Sequence, residues 1–288
     1  MKPFILTCGA PGTGKSTEAY KSFQDSLTIL SSINNAHYYK VLMKRGRLNP
    51  EKYKFPKKFK LIDTNAVGTT EAPYADPDTI KPKSARSESG QLVPVDQKAE
   101  LEATLNTVVA RSLSAVEKGE KPPYANVIID ECGTFWQRVF EEILPTCTTK
   151  NEKIDARQAY VALGGWSRHI SDLLRQLLPC GVGVCLVLHD REPESGKKGG
   201  PKLPSATIGT QLCADADGVI QRVMKDPEIG EKDESGKPAK AKYLWVASAG
   251  EQWHRKLRGL EPEDADIIGP MELEDILEMA GFSMSVER

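Results

Sequence analysis

The amino-acid sequence predicts an α/β fold: a central, mostly parallel sheet flanked by helices, with antiparallel strands at its C-terminal edge. Near the N-terminus, a β-rich segment, a glycine-rich loop and a helical segment follow one another. Through the middle of the chain, amphipathic helices alternate with short apolar strands, which is typical of parallel strands buried on both faces. Three further strand-like segments near the C-terminus have no helix between them and are therefore expected to be antiparallel.

The first half of the chain supplies its elements in a simple order. Strands are predicted at residues 4–8, 27–30 and 59–63, and helices at residues 16–24 and 35–44. Residues 65–96 contain four prolines and little periodicity, so we interpret them as a loop or insertion without regular structure.

The second half of the chain first continues the alternation of helices and strands, and then contains strands with no helix between them. Helices are predicted at residues 97–118 and 155–178, and strands at residues 126–131, 182–189, 218–224, 243–247 and 252–258. The charged stretch between residues 226 and 242 suits an exposed hairpin tip. We predict a core domain over residues 1–260 and an acidic tail over residues 261–288, with a short helix near 271–279.

Composition excludes several classes of protein. The 39 Lys and Arg residues balance 40 Asp and Glu, so binding to nucleic acid requires a local basic patch. The longest apolar run is far shorter than the roughly 18 residues that a membrane-spanning helix needs, and no membrane partner is expected. The six cysteines contain no C-x-x-C pair, which favours reduced thiols and a cytoplasmic location.

The most specific motif in the sequence is a phosphate-binding loop. Its pattern is Gly9-x-x-x-x-Gly14-Lys15-Ser16, in which backbone N–H groups and the following helix N-terminus face phosphate oxygens. Lys15 is predicted to reach the β- and γ-phosphates, and the Ser16 hydroxyl to bind Mg²⁺. The predicted nucleotide-binding residues are Gly9, Ala10, Pro11, Gly12, Thr13, Gly14, Lys15, Ser16 and Thr17.

Three polar residues follow buried strands and complete the predicted catalytic site. Asp130 is expected to hold the Mg²⁺ shell, and Glu131 to polarise the attacking water as a general base. His189 ends another apolar strand, where it would sense the γ-phosphate. The alternatives are a strand that ends in solvated charges, for the two carboxylates, and a histidine that caps a strand.

Cations near the C-terminal strands suggest a contact between subunits. Lys256 and Arg258 could reach the phosphates of a neighbouring subunit and neutralise charge during transfer, as an arginine finger does. Arg222 is a second candidate for this role. The alternative is a solvated basic edge strand that protects the sheet against edge pairing.

Two basic segments are candidates for DNA contact. Residues 40–60 carry nine Lys and Arg against Glu51, interleaved with aromatic residues that could stack on bases. Residues 191–202 are rich in Lys and Gly and follow His189 directly, as expected of a nucleotide-gated binding loop. A solvated surface and an ordinary flexible connection remain the alternative interpretations.

The order of these parts resembles the RecA-like P-loop ATPases, especially the phage-encoded members that act in single-strand annealing and recombination. The resemblance rests on residues 9–17, 127–130, 165–166, 184–189, 214–220 and 253–258, and covers about residues 3–260. It implies ATP and Mg²⁺ as cofactors, DNA as partner, in particular single-stranded DNA, and a homo-oligomeric ring or filament. By this resemblance, Lys256 and Arg258 match the trans-acting K-x-R pair, and the segment after His189 matches the DNA-binding loop.

Two departures from that pattern leave other functions open. RecA-like proteins usually place the catalytic glutamate after the second strand, where this chain has residues 31–34, so Glu131 would have to serve. A P-loop small-molecule kinase and a nucleotide-dependent interaction module without turnover are therefore the alternatives. The acidic tail is a possible docking segment for a protein partner, and a phage-encoded chain would work in the host cytoplasm.

Overall fold

The computed structural model describes most of the chain, with gaps. The described residues are 1–32, 35, 38, 41, 42, 44–47, 58–63, 66–71, 96–149, 152–195, 198–228, 231–233, 235, 237, 239, 241–247, 253–260 and 271–284. Half of the predicted helix at 35–44, most of the basic segment at 40–60 and most of the proline-rich segment lie outside these residues; the described residues between 35 and 44 are helical.

The strands are β1 (Phe4–Gly9), β2 (Ser26–Leu30), β3 (Lys58–Asp63), β4 (Ala66–Glu71), β5 (Asn126–Asp130), β6 (Gly183–Val187), β7 (Asp190–Arg191), β8 (Gly200–Pro201), β9 (Gly218–Lys225), β10 (Lys242–Val246) and β11 (Lys256–Leu257). The helices of eight or more residues that the structure describes in full are α1 (Lys15–Ser22), α2 (Gln97–Glu117), α3 (Cys132–Ile143), α4 (Ala156–Leu177) and α5 (Ala206–Asp215). A seven-residue helix, α6 (Leu273–Met279), lies in the acidic tail.

The main sheet confirms the predicted fold class. Its strand order is β10-β9-β1-β6-β5-β2-β3-β4. The six strands from β9 to β3 pair in parallel, whereas β4 and β10 are antiparallel at the two edges. The parallel strands all end at one edge, where loops gather polar groups. Strand β1 therefore brings its following loop close to the ends of β6 and β5.

Helices cover both faces of the sheet and form two cores. On one face, Leu101, Leu105, Trp136 and Leu163 from α2, α3 and α4 are buried against inward-facing strand residues. On the other face, α1 and α6 cover the sheet through residues such as Tyr20 and Ile276. Strands β1, β5 and β6 are buried along their whole length, which explains their largely apolar sequences.

Local sequence signals explain where the two longest helices begin. Asp96 accepts a hydrogen bond from the backbone N of Ala99 at 2.8 Å and caps α2. Asp155 accepts hydrogen bonds from the backbone N of Arg157 and Gln158 and caps α4. Such caps satisfy N–H groups that have no partner within the helix. Both helices begin within a residue of their predicted starts.

Four features differ from the sequence predictions. Residues 66–71, interpreted as part of a loop, form β4, because their Thr- and Val-containing alternation pairs with β3. Helices α3 and α5 were not predicted, since neither has a side-chain N-cap. Strand β11 has only two residues and pairs with β9 rather than with β10. Residues 190–191 and 200–201 form a small hairpin instead of an open loop.

The described part of the acidic tail packs onto the core. Leu273, Ile276 and Leu277 of α6 are fully buried beside α1, and Lys2 Nζ donates to the carbonyl of Met284 at 3.2 Å. The predicted helix near 271–279 is thus present, but this segment is part of the core's hydrophobic packing. A protein partner at the tail stays a prediction. In the part of the chain that the structure describes, no helix is long and apolar enough to cross a membrane.

Candidate functional site

The phosphate loop connects β1 to α1 in a conformation that depends on its glycines. Gly9 lies against β9, and a Cβ atom on it would come within 2.3 Å of the Arg222 carbonyl oxygen. Gly14 is the N-cap of α1 and has a φ of 86°, which side-chain-bearing residues rarely adopt. No side chain caps α1, so the first N–H groups of the helix are available to an anion.

Lys15 is folded back onto its own loop. Its Nζ donates to the carbonyl of Ala10 at 2.9 Å, and the Thr13 hydroxyl donates to the same oxygen at 2.9 Å. Burial lowers the pKa of Lys15, although Asp190 and Asp130 oppose this shift. The Lys15 amine therefore lies within the phosphate loop, close to Asp130 of β5 and Asp190 of β7.

Asp130 is the most constrained carboxylate of the site. It is 1% exposed, and its Oδ1 accepts hydrogen bonds from Ser16 Oγ at 3.0 Å and from the backbone N of Glu131 at 2.9 Å. Its Oδ2 accepts a hydrogen bond from the Tyr20 hydroxyl. Burial raises the pKa of Asp130, while the hydrogen bonds from Tyr20 and Ser16 oppose that rise. Ser16 and Asp130, the two residues that the sequence analysis assigned to Mg²⁺, are therefore in direct contact.

Glu131 follows Asp130 in a left-handed backbone conformation, with φ 57° and ψ 46°. Such a conformation is unfavourable for a residue other than glycine and is often found at functional sites. Its Oε2 accepts a hydrogen bond from Ser31 Oγ at 3.5 Å, and its Oε1 lies 3.9 Å from His189 Nε2. Although Asp130 and Glu131 are adjacent in the chain, their carboxylates contact different side chains. Each carboxylate can therefore take a separate role.

These groups surround one pocket of about 380 Å³ at the carboxyl edge of the sheet. Its described lining residues are Pro11, Gly12, Gly14, Lys15, Ser16, Asn35, Tyr38, Asp130, Glu131, Val187, Leu188 and His189. Asn35 and Tyr38 were missed from the sequence, because no motif marks them. Tyr38 lies beside α1, the helix that follows the phosphate loop, with its hydroxyl 3.4 Å from Thr17 Oγ1. The structure thus brings the loop, Asp130, Glu131 and His189 together at one pocket.

The residues present fit Mg²⁺ bound with a nucleotide. Magnesium favours hard oxygen ligands and commonly takes only one or two from the protein, the others coming from phosphates and water. Ser16 and Asp130 offer such oxygens 3.0 Å apart on the pocket wall. Within the described ranges, no group of three or more His, Cys, Asp and Glu residues could hold a metal alone. The donor set therefore suits a metal that arrives with phosphate.

His189 has a lowered pKa, and this predicts a pH effect on stability. Burial lowers the pKa of His189 in the folded protein, as does the nearby Lys15, whereas an unfolded histidine has a pKa of about 6.5. The unfolded state therefore binds more protons, and the free energy of unfolding should fall as the pH drops below about 6.5. In thermal unfolding between pH 7.5 and 5, His189→Gln should lose less stability than wild type. An identical slope for both proteins would contradict this prediction.

Lys256 and Arg258 lie away from the pocket of their own chain. Lys256 Nζ donates to the carbonyl of Ala214 at 3.0 Å. Arg258 forms an ion pair with Asp217 at 2.9 Å, and Asp217 also accepts a hydrogen bond from the backbone N of Phe4. Phe4 begins β1, so Arg258 lies at the end of that strand opposite the phosphate loop. Their role at a neighbouring subunit stays a prediction.

Arg222, unlike Lys256 and Arg258, lies directly beside the phosphate loop. It pairs with Gly9 across β9 and β1, and its guanidinium stacks 4.6 Å from the Trp245 ring. Desolvation lowers the pKa of Arg222. Stacking on a buried tryptophan gives this arginine a structural role within its own chain, and its role as a finger stays a prediction.

The basic segment after His189 is held partly in place. The backbone N of Lys202 donates to the carbonyl of His189 at 2.7 Å, which closes the hairpin of β7 and β8. Gly199 pairs with Trp253, and the backbone N of His254 donates to the Gly199 carbonyl at 2.9 Å. Exposed Lys198 and Lys202 flank this contact. The segment is therefore tied both to the pocket and to the strand that carries Lys256.

Comparisons with known proteins find a likeness among solved structures. No protein-family model and no curated protein matches this sequence. Among solved structures, the chain is similar to a KaiC-like protein from the hyperthermophilic archaeon Pyrococcus horikoshii, with 13% sequence identity and a TM-score of 0.35. The match covers 93% of this chain and 88% of that chain.

Proposed function

We propose that this protein is a Mg²⁺-dependent ATPase of the RecA-like type that acts on DNA, in particular on single-stranded DNA. The observation that supports the ATPase most directly is the meeting of the phosphate loop, Asp130 and Glu131 in one pocket. The loop offers N–H groups and an amine to phosphates, and the two carboxylates serve the metal and the attacking water.

Each residue has a separate task in this proposal. Lys15 leaves the Ala10 carbonyl to bind the β- and γ-phosphates, and Ser16 and Asp130 hold Mg²⁺ on the pocket wall. Mg²⁺, when bound with ATP, neutralises charge that develops on the phosphate oxygens. Glu131 accepts a proton from water as the water attacks the γ-phosphorus, and ADP leaves with the electron pair of the broken P–O bond.

A base that activates water distinguishes this proposal from a small-molecule kinase. Glu131 lies on the pocket wall and is 37% exposed at its side chain, and its Oε1 lies 3.9 Å from Nε2 of His189, whose pKa is lowered by burial. Phosphate release from ATP in the absence of any acceptor molecule tests the choice. Free phosphate supports the ATPase, whereas phosphate that appears only on an added metabolite would support the kinase.

The proposed DNA contact is the hairpin of β7 and β8, which begins directly after His189. Exposed Lys198 and Lys202 can bind phosphate groups of a DNA backbone. Because the Lys202 amide is bonded to the His189 carbonyl, a shift of His189 on loss of the γ-phosphate would be passed to the hairpin. DNA affinity should therefore depend on which nucleotide is bound.

If the protein forms the proposed homo-oligomer, two inactive variants should restore ATP turnover when they are mixed. Lys15→Ala lacks a working phosphate loop but retains Lys256 and Arg258. The double variant Lys256→Ala, Arg258→Ala retains the loop but lacks the cations. If the cations act on a neighbouring subunit, mixing the two should restore about a quarter to a half of wild-type turnover, because mixed interfaces combine both halves.

The measurement is phosphate release from mixtures at a constant total protein concentration. Each variant alone, at the same total protein concentration, is the control. Turnover no greater than the sum of the separate variants would contradict action between subunits. Circular dichroism of the double variant checks that loss of the Arg258–Asp217 ion pair leaves the fold intact.

A further inference from the structure

Tyr20 contacts the candidate metal site from inside the protein. It lies four residues after Ser16 on α1, so both side chains lie on the same face of the helix. Both donate hydrogen bonds to Asp130, Ser16 to Oδ1 and Tyr20 to Oδ2. Ser16 lines the pocket, whereas Tyr20 is fully buried and is not among the described residues of the pocket wall.

The two contacts divide the carboxylate of Asp130 into an outer and an inner oxygen. Oδ1 accepts from Ser16 and from the backbone N of Glu131 beside the pocket. Oδ2 is directed into the core, where the phenol hydroxyl donates to it. A carboxylate bound at both oxygens cannot rotate freely about its Cβ–Cγ bond. Removing the phenol hydroxyl would take this hydrogen bond from a buried carboxylate oxygen, which is unfavourable.

We propose that Tyr20 is a positioning residue for the metal–nucleotide site: its hydroxyl fixes the orientation in which the Asp130 carboxylate serves Mg²⁺ bound with phosphate. Tyr20 itself touches neither metal nor nucleotide. The inference rests on the proposed function, because it requires that Asp130 acts on Mg²⁺ and a nucleotide. It adds a residue of α1 that lies outside the phosphate-loop motif.

The test is Tyr20→Phe, which keeps the buried ring and removes only the hydroxyl. We expect the Mg²⁺ concentration for half-maximal ATP turnover to rise about tenfold, the usual effect of losing a hydrogen bond to a buried charge. With Mg²⁺ present, the affinity of Tyr20→Phe for a fluorescent ATP analogue should also fall about tenfold relative to wild type. In EDTA, where Mg²⁺ is removed, the two proteins should bind the analogue equally. Tyr124→Phe, which removes the hydroxyl of another buried tyrosine outside the pocket wall, is the matched control and should equal wild type.

A double variant tests whether Tyr20 acts through Asp130. In an Asp130→Asn background, adding Tyr20→Phe should leave the Mg²⁺ dependence of nucleotide affinity unchanged. A further loss in that background, or a Tyr20→Phe protein equal to wild type, would overturn the positioning role while leaving the proposed function intact. Failure of Tyr20→Phe to fold would also overturn it, since a purely structural role would then suffice. A wild type without Mg²⁺-dependent nucleotide binding would overturn both.

Discussion

Replacing Lys15 with alanine is expected to lower ATP turnover by about 10²- to 10³-fold, the usual effect of removing one charge-stabilising group from a catalytic site. Among the described residues of the pocket wall, Lys15 is the one Lys or Arg. The fold should survive, because the Ala10 carbonyl keeps its hydrogen bond from the Thr13 hydroxyl. Phosphate release at saturating ATP and Mg²⁺ measures the effect.

Lys21→Ala provides the matched control for that prediction. Lys21 lies on the same helix and forms an ion pair with Glu18 at 3.3 Å, outside the pocket wall. Lys21 also lies 3.8 Å from Glu272, and neither ion pair involves a residue of the pocket wall, so this variant should retain wild-type turnover. Equal loss in both variants would indicate damage to α1, and wild-type turnover by Lys15→Ala would contradict the assignment of the phosphate loop.

Replacing Glu131 with glutamine is expected to lower turnover by about 10²- to 10⁴-fold, the range for loss of a general base. Nucleotide affinity should stay close to that of wild type, because the phosphate loop, Ser16 and Asp130 are unchanged. The amide has nearly the same shape as the carboxylate but cannot accept the proton from water. Paired measurements of phosphate release and fluorescent-nucleotide binding separate the two effects.

Glu141→Gln, on the exposed side of the same helix α3, is the control and should not change turnover. Full activity of Glu131→Gln would show that another group is the base. If wild type itself binds ATP with Mg²⁺ but releases no phosphate, the protein is better described as a nucleotide-dependent interaction module.

The sequence was sufficient to predict the parts of the site that depend on short segments. The phosphate loop is a continuous motif, and Asp130 and His189 each end or follow a buried apolar strand. Because parallel strands end at the same edge of a sheet, these residues could be expected to meet. In the structure they line the same pocket, and their catalytic roles stay predictions.

Other features depend on contacts between distant segments and had no local signal. Helix α3 begins without a side-chain cap, directly after the left-handed Glu131. The hairpin of β7 and β8 is held by Trp253, more than fifty residues later, so its composition alone suggested an open loop. Tyr20 could have been found from its spacing of four residues from Ser16, but only once Asp130 was known to lie beneath both.

The positions of the C-terminal cations could be predicted from the sequence only in part. Strand β11, which carries Lys256 and ends directly before Arg258, was predicted near the C-terminal edge of the sheet, but its pairing with the first residues of β9 could not be predicted. That register places Arg258 beside Asp217 and away from the phosphate loop of its own chain. Any action of these residues on phosphate therefore requires a second subunit, which the mixing experiment addresses.

The central claim is that ATP hydrolysis at this pocket is coupled to DNA. The most direct measurement is phosphate release from ATP by wild type and Lys15→Ala, with and without single-stranded DNA, at low and moderate salt. We predict Mg²⁺-dependent turnover that rises with single-stranded DNA, more strongly at low salt, and that is lost in Lys15→Ala. Turnover that is indifferent to DNA at both salt concentrations, or that persists in the variant, would contradict the account.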